Sequence, residues 1–167
     1  MMTSKLIIIR GNSGSGKTTL SKEIHRRLPH NTLLIPQDTV RREMLNVKDG
    51  EKTFALPLLE NLIEYGYHHC SYTILEGILN AKWYADLFKK SQQLFGDQIY
   101  AYYFDIPFEE TMKRHKTRHE HSFGEEKMRS WWNEKDYLGF IPEYAFTSQM
   151  NLDDEVEIVM NDIQVED

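Results

Sequence analysis

Cysteine is nearly absent from this 167-residue chain, and long apolar runs are missing. The single thiol, Cys70, has no second cysteine for a disulfide and cannot build a cysteine-rich zinc site. The apolar run at residues 6–9 is far too short for a signal sequence or a membrane span. We therefore expect a soluble, cytoplasmic protein with no membrane partner.

Internal repeats, low-complexity segments and interdomain linkers are also lacking. Hydrophobic residues make up 40% of the chain and aromatic residues 12%, which excludes a disordered or fibrous protein. At this length the chain is expected to form one domain, residues 1–167, with a sizeable core.

The formal net charge is −6, from 20 Lys and Arg residues against 26 Asp and Glu. Taken alone, this charge argues against a ligand rich in phosphate. However, residues 151–167 hold seven acids and no Lys or Arg, so the rest of the chain is close to neutral. The overall charge therefore does not exclude phosphate binding by residues 1–150.

Apolar runs alternate with segments of helical periodicity, a pattern typical of an α/β fold with a parallel sheet. Strands are predicted at residues 5–10, 32–35, 72–75, 99–106 and 156–160. Helices are predicted at residues 16–28, 40–45, 54–69, 83–95 and 108–119. Residues 120–150 show no clear period and receive no assignment.

The most specific motif runs from Gly11 to Thr18 and matches G-x-x-x-x-G-K-[ST] between an apolar strand and a helix. Such a loop points backbone N–H groups at phosphate oxygens, and the following helix adds its positive N-terminal end. Lys17 is expected to reach the β- and γ-phosphates, and the Thr18 hydroxyl to bind Mg²⁺. The predicted nucleotide-binding residues are Gly11, Asn12, Ser13, Gly14, Ser15, Gly16, Lys17, Thr18 and Thr19.

No N-K-x-D guanine motif is present, so the sequence does not suggest a GTPase switch. Instead, Asp38 and Arg41 follow the second predicted strand. Because ligands bind at the carboxyl ends of parallel strands, Asp38 is expected to face the phosphate loop. There its carboxylate can accept the proton of an attacking hydroxyl, while Arg41 can hold the acceptor. The alternative is a helix-capping Asp38 and a surface ion pair for Arg41.

Glu76 and a basic segment at residues 113–118 are further candidates. Glu76 ends the third predicted strand and can hold a Mg²⁺-bound water or the acceptor hydroxyl, or only cap the next helix. Arg114 and Arg118 share a helical face and can stabilise the charge of a transferring phosphoryl group. A solvated basic face is the alternative for this segment.

Together these residues, with the strand-end segment at residues 105–107, resemble the P-loop kinases that include polynucleotide 5′-kinase, chloramphenicol phosphotransferase and zeta-toxin-like kinases. Within this group the chain most resembles small bacterial ATP-binding kinases. The resemblance to the group covers residues 5–118. The resemblance implies a P-loop NTPase fold with three α/β/α layers, a five-stranded parallel sheet of order 2-3-1-4-5 and a helical lid. It also implies that Asp38 is the general base, that Arg41 engages the acceptor, and that Arg114 and Arg118 belong to the lid.

We therefore expect an ATP- and Mg²⁺-dependent kinase that transfers the γ-phosphoryl group to a hydroxyl of a small acceptor, such as a nucleoside or nucleotide. The expected catalytic residues are Lys17, Asp38, Arg114 and Arg118, and the expected acceptor-binding residues are Asp38, Arg41 and Glu76. A polynucleotide 5′-hydroxyl kinase and a non-catalytic ATP-binding module are the alternatives. Nucleic acid is the less favoured partner because no continuous Lys/Arg stripe is present.

Two further features receive weaker expectations. Trp131 and Trp132 can stack on a base or sugar, although adjacent aromatic residues more often pack within the protein. Asn161 and Asp162, after the last predicted strand, are expected near the adenine.

Overall fold

Five strands form one parallel sheet in the order β2-β3-β1-β4-β5, which confirms the predicted strand order. The computed structural model describes residues 3–116 and 124–164. The strands are β1 (Lys5–Gly11), β2 (Leu33–Pro36), β3 (Tyr72–Gly77), β4 (Ile99–Phe104) and β5 (Glu143–Phe146). The helices are α1 (Lys17–Arg27), α2 (Gln37–Thr39), α3 (Ala55–His69), α4 (Ala85–Phe95), α5 (Phe108–Lys116), α6 (Glu125–Ser130) and α7 (Leu152–Gln164). A π-helical segment, Val40–Leu45, continues α2. None of the described helices has the length and apolar character needed to cross a membrane.

β1 lies at the centre of the sheet, and every one of its residues is buried. Leu6 and Ile8 belong to a core cluster shared with α3 and α4, whereas Ile7 and Ile9 belong to a cluster shared with α1 and α7. Because both faces are covered, residues 6–9 of the strand are all apolar instead of alternating with polar residues. The two clusters, one on each face of the sheet, establish the predicted three-layer α/β/α arrangement. The phosphate loop follows directly after β1.

The prediction of a strand at residues 156–160 is wrong, because these residues lie in α7 and the fifth strand is Glu143–Phe146. A short apolar run fits a buried strand or the buried side of a helix equally well. The decisive signal was a capping box at the start of α7. The Asn151 backbone N–H donates to Asp154 Oδ2 (3.0 Å), and the Asp154 N–H donates to Asn151 Oδ1 (2.9 Å).

Asn161 and Asp162 therefore lie on a helix and do not follow a strand, so the basis for placing them near the adenine is lost. The Asp162 carboxylate accepts a hydrogen bond from the Tyr102 hydroxyl on β4 (2.7 Å). Neither Asn161 nor Asp162 lines the cleft described below. Asp162 therefore links α7 to β4 of the sheet.

Gly66 lies where α3 packs closely on β3. A Cβ at this position would lie 2.1 Å from Thr73 Oγ1, so only glycine permits this approach. We expect Gly66→Ala to lower the free energy of unfolding by about 1–3 kcal/mol, measured by urea denaturation. Gly124→Ala is the control, because a Cβ there meets no atom within 4 Å. Equal losses in the two variants would contradict this explanation.

Candidate functional site

A cleft of about 1140 Å³ opens at the carboxyl ends of β1, β2 and β3. Its walls come from the phosphate loop, the α2 and π-helical segment, and the loops that follow β3 and α6. The cleft brings together five of the residues singled out in the sequence: Lys17, Thr18, Asp38, Arg41 and Glu76. Parallel strands place their ligand sites at this edge of a sheet, as expected.

The phosphate loop joins β1 to α1 through glycines in left-handed conformations. Gly14 has φ +79° and Gly16 φ +109°, and a Cβ on Gly14 would lie 3.2 Å from the Thr111 carbonyl oxygen. Lys17 Nζ crosses the loop and donates to the Asn12 carbonyl (3.1 Å). Of the predicted nucleotide-binding residues, Ser13, Gly14, Gly16, Lys17, Thr18 and Thr19 line the cleft, whereas Gly11, Asn12 and Ser15 lie buried behind it.

Thr18 and Glu76 form a pair of oxygen groups at the base of the cleft. The Thr18 hydroxyl donates to Glu76 Oε1 (3.0 Å), and Glu76 is only 4% exposed. Burial raises the pKa of Glu76, and the neighbouring Lys17 ammonium opposes this rise. A hydroxyl and a carboxylate in contact provide the oxygen ligands that Mg²⁺ prefers, so this pair fits the predicted metal.

Asp38 is held by two guanidinium groups from the π-helical segment. Arg41 Nη2 and Arg42 Nε each lie 3.0 Å from Asp38 Oδ1. The Asp38 carboxylate remains exposed and lines the cleft, while Arg41 also donates to the Val47 carbonyl (3.3 Å). Pro36 is the residue that precedes α2, and Asp38 lies in the first turn of the helix. The Arg41–Asp38 ion pair is also the pairing that the alternative expectation named.

Arg114 lies on α5 against the backbone of the phosphate loop. Its Nη1 donates to the Ser15 carbonyl, and its Nε lies 3.7 Å from Glu110 Oε1. Arg118, predicted to act with Arg114, lies outside the described residues.

Arg10, which sequence reasoning missed, is a fully buried arginine directly before the phosphate loop. Its guanidinium donates twice to the Leu79 carbonyl and also binds Asp136 Oδ2 (3.0 Å) and Glu143 Oε2 (2.9 Å). Burial raises the pKa of Glu143, and the positive charge of Arg10 opposes this rise. A charged residue at the end of a buried strand was the available signal, since such a charge requires partners.

Three asparagines connect the phosphate loop to two other loops of the cleft, which sequence reasoning also missed. Asn12 Oδ1 accepts from the Asn133 backbone N–H, and Asn12 Nδ2 donates to the Asn133 carbonyl, both at 2.7 Å. Asn80 Nδ2 donates in turn to Asn133 Oδ1 (3.2 Å). The loops after β3 and α6 are therefore fixed relative to the phosphate loop.

Glu155 is a buried carboxyl group on α7, and it lies within the electrostatic influence of Arg114. Burial raises the pKa of Glu155 from 4.5 to about 7; Arg114 lowers it and Asp154 raises it. Between these two pH values the folded chain keeps a proton that the unfolded chain has lost. The contribution of Glu155 to stability therefore falls as the pH rises through this window.

We expect Glu155→Gln to remove this pH dependence. Relative to the variant, the wild type should lose about 1–3 kcal/mol of unfolding free energy between pH 4.5 and pH 8. Urea denaturation of both proteins at the two pH values measures the difference. A difference independent of pH would contradict the raised pKa.

Residues 6–134 match the family described as AAA domain. The fold is similar to a gluconokinase from Sinorhizobium meliloti, at 15% identity, covering 98% of this chain and 94% of that chain with a TM-score of 0.71. It is also similar to the Mycobacterium tuberculosis APS kinase in complex with AMPPNP and APS, at 17% identity, 98% and 99% coverage and a TM-score of 0.70. A tunicamycin resistance protein from Deinococcus radiodurans matches at 18% identity, 96% and 95% coverage and a TM-score of 0.67. No curated protein matches the sequence.

Proposed function

The chain belongs to the AAA domain family and has the fold of P-loop kinases, and from this premise we propose that it is an ATP-dependent phosphotransferase. It moves the γ-phosphoryl group to a hydroxyl of a small acceptor such as a nucleoside or nucleotide. The observation that carries this proposal is the exposed Asp38 carboxylate in the same cleft as Lys17 and Thr18. A phosphate loop and a carboxylate at one site provide the two parts that phosphoryl transfer to an alcohol needs.

The phosphate loop binds and orients the triphosphate. Its backbone N–H groups and the N-terminal end of α1 favour phosphate oxygens, and Lys17 adds a positive charge beside the transferred group. Thr18 and Glu76 would hold Mg²⁺, which neutralises part of the phosphate charge when bound. Arg114, at the back of the loop, and the predicted lid residue Arg118 supply further cations.

Asp38 orients and deprotonates the acceptor. Both of its ion pairs among the described residues are made through Oδ1. In this proposal Oδ2 is the atom that accepts the hydroxyl proton of the acceptor. The hydroxyl oxygen forms a bond to the γ-phosphorus as the bond from that phosphorus to the bridging oxygen of ADP breaks. The hydroxyl proton passes to Asp38, and ADP leaves with the bonding electron pair.

A screen with γ-labelled ATP and Mg²⁺ tests the proposal. The acceptors are nucleosides, nucleotides, 5′-hydroxyl oligonucleotides and hydroxyl-bearing antibiotics, with each labelled product identified by its mass. A small acceptor that gains one phosphoryl group supports the proposal. Labelled oligonucleotides alone would instead identify a polynucleotide kinase, and ATP binding without transfer to any acceptor would identify a non-catalytic module.

A further inference from the structure

Two tryptophans outside the phosphate loop line the cleft. Trp83 follows β3 and Trp131 follows α6, and they are 36% and 37% exposed. The part of the cleft formed by the α2 and π-helical segment, Lys48, Asp49, Asn80 and these two residues is called the acceptor half below. Large aromatic side chains with this much accessible surface inside a cleft are suited to contact with a ligand ring.

The asparagine connections fix the two tryptophan-bearing loops. Asn80 Oδ1 accepts from the Trp83 backbone N–H (3.1 Å), and Asn80 Nδ2 donates to Asn133 Oδ1 (3.2 Å). Asn133, two residues after Trp131, makes both 2.7 Å hydrogen bonds with Asn12 of the phosphate loop. The two loops that carry the tryptophans are thus fixed relative to the phosphate loop, which lowers the entropic cost of ordering them when an acceptor binds.

The charges of the acceptor half balance. Its cations are Arg41, Arg42 and Lys48, and its acids are Asp38, Glu43 and Asp49. Asp38 forms ion pairs with both arginines, and the Asp49 carboxylate accepts from the Tyr84 hydroxyl. An acceptor with a phosphate or carboxylate group would find no excess of positive charge here.

We propose that Trp83 and Trp131 form an aromatic acceptor subsite for the planar ring of an uncharged alcohol, a nucleoside being the matching chemical class. The ring stacks on the tryptophan surfaces, and the sugar hydroxyl extends toward Asp38. This inference rests on the proposed phosphotransferase function for the fate of that hydroxyl. Binding of the ring itself requires no transfer, so the two can be tested separately.

Binding is measured by calorimetry with the full chain saturated with Mg²⁺ and AMPPNP. The probes are adenosine, guanosine, cytidine and uridine, with ribose, gluconate and the nucleoside 5′-monophosphates for comparison. At least one nucleoside should bind more tightly than ribose and gluconate. Trp83→Leu and Trp131→Leu should each weaken its binding by about tenfold or more, as expected for loss of base–aromatic stacking.

Trp83→Phe and Trp132→Phe are the matched controls. Phenylalanine keeps a stacking ring, so Trp83→Phe should retain nucleoside affinity within about threefold. Trp132 does not line the cleft; its Nε1 donates to Glu134 Oε2 (2.8 Å), and Trp132→Phe should leave nucleoside affinity unchanged. AMPPNP affinity should be the same in all variants, which shows that each of them folds.

Three results would overturn the subsite: ribose or gluconate binding as tightly as every nucleoside, unchanged nucleoside affinity in both leucine variants, or a nucleoside 5′-monophosphate binding tenfold more tightly than its nucleoside. Nucleoside binding that depends on both tryptophans, without phosphoryl transfer from ATP, would retain the subsite and remove the proposed function. Phosphoryl transfer to an alcohol without a ring, at a rate that neither leucine variant changes, would retain the proposed function and remove the subsite.

Discussion

Lys17→Ala is expected to lower phosphoryl transfer by about 10²–10³-fold, the scale seen when one preorganised group that stabilises transition-state charge is removed. Lys17 is 8% exposed, and its ammonium is already directed across the phosphate loop to the Asn12 carbonyl. Of the two lysines whose charges oppose the raised pKa of Glu76, Lys17 and Lys22, the substitution removes the one with the larger effect, so that pKa should rise further. Steady-state transfer from ATP and ATP affinity are the measurements.

Lys22→Ala is the matched control for this variant. Lys22 is an exposed lysine on the same helix that also lines the cleft, so its loss changes the local charge equally. We expect a much smaller effect, because Lys22 lies outside the phosphate loop. If Lys17→Ala kept both its ATP affinity and its turnover, the phosphate loop would have no part in the proposed reaction.

Asp38→Asn is expected to lower transfer by about 10²–10⁴-fold while leaving ATP affinity unchanged, because a proton acceptor is lost without a change in size. Asp38 lies on α2, outside the phosphate loop, so nucleotide binding should not depend on its charge. The rate of single-turnover transfer and the affinity for AMPPNP separate these two effects.

Glu43→Gln controls for the loss of one acid from the same half of the cleft. Glu43 belongs to the same π-helical segment as the arginines that bind Asp38, but it makes no ion pair with either of them among the described residues. Its substitution should change transfer by less than about tenfold. Transfer at the wild-type rate in Asp38→Asn would assign the general base to another residue.

The phosphate loop could be predicted from the residues themselves because it depends on a local pattern, whereas the sheet order was implied by the resemblance to P-loop kinases. An apolar strand followed by G-x-x-x-x-G-K-T specifies a loop that binds phosphate, and strand-end positions placed Asp38 and Glu76 at the same edge of the sheet. The roles given to individual residues in the cleft remain predictions for the experiments above.

The partners of Arg10 and Asn12 could not be predicted from local pattern. Arg10 meets Asp136, 126 residues later, and Asn12 meets Asn133, 121 residues later. Contacts at such separations leave no periodicity in the sequence. The misplaced fifth strand had a different cause. A short apolar run such as residues 156–160 fits a strand and a helix equally well, and the signal for a helix lies before the run, in the Asn151–Asp154 capping box.

Arg10 also makes the segment beyond the family match necessary for the stability of the chain. The family match ends at residue 134, before both of the acids that pair with Arg10, Asp136 and Glu143. A fragment cut there would leave a guanidinium in the interior without either acid, and an unpaired buried charge costs about 3–5 kcal/mol, comparable to much of a domain's stability. Any shortened or chimaeric version of this protein must therefore carry the chain through β5.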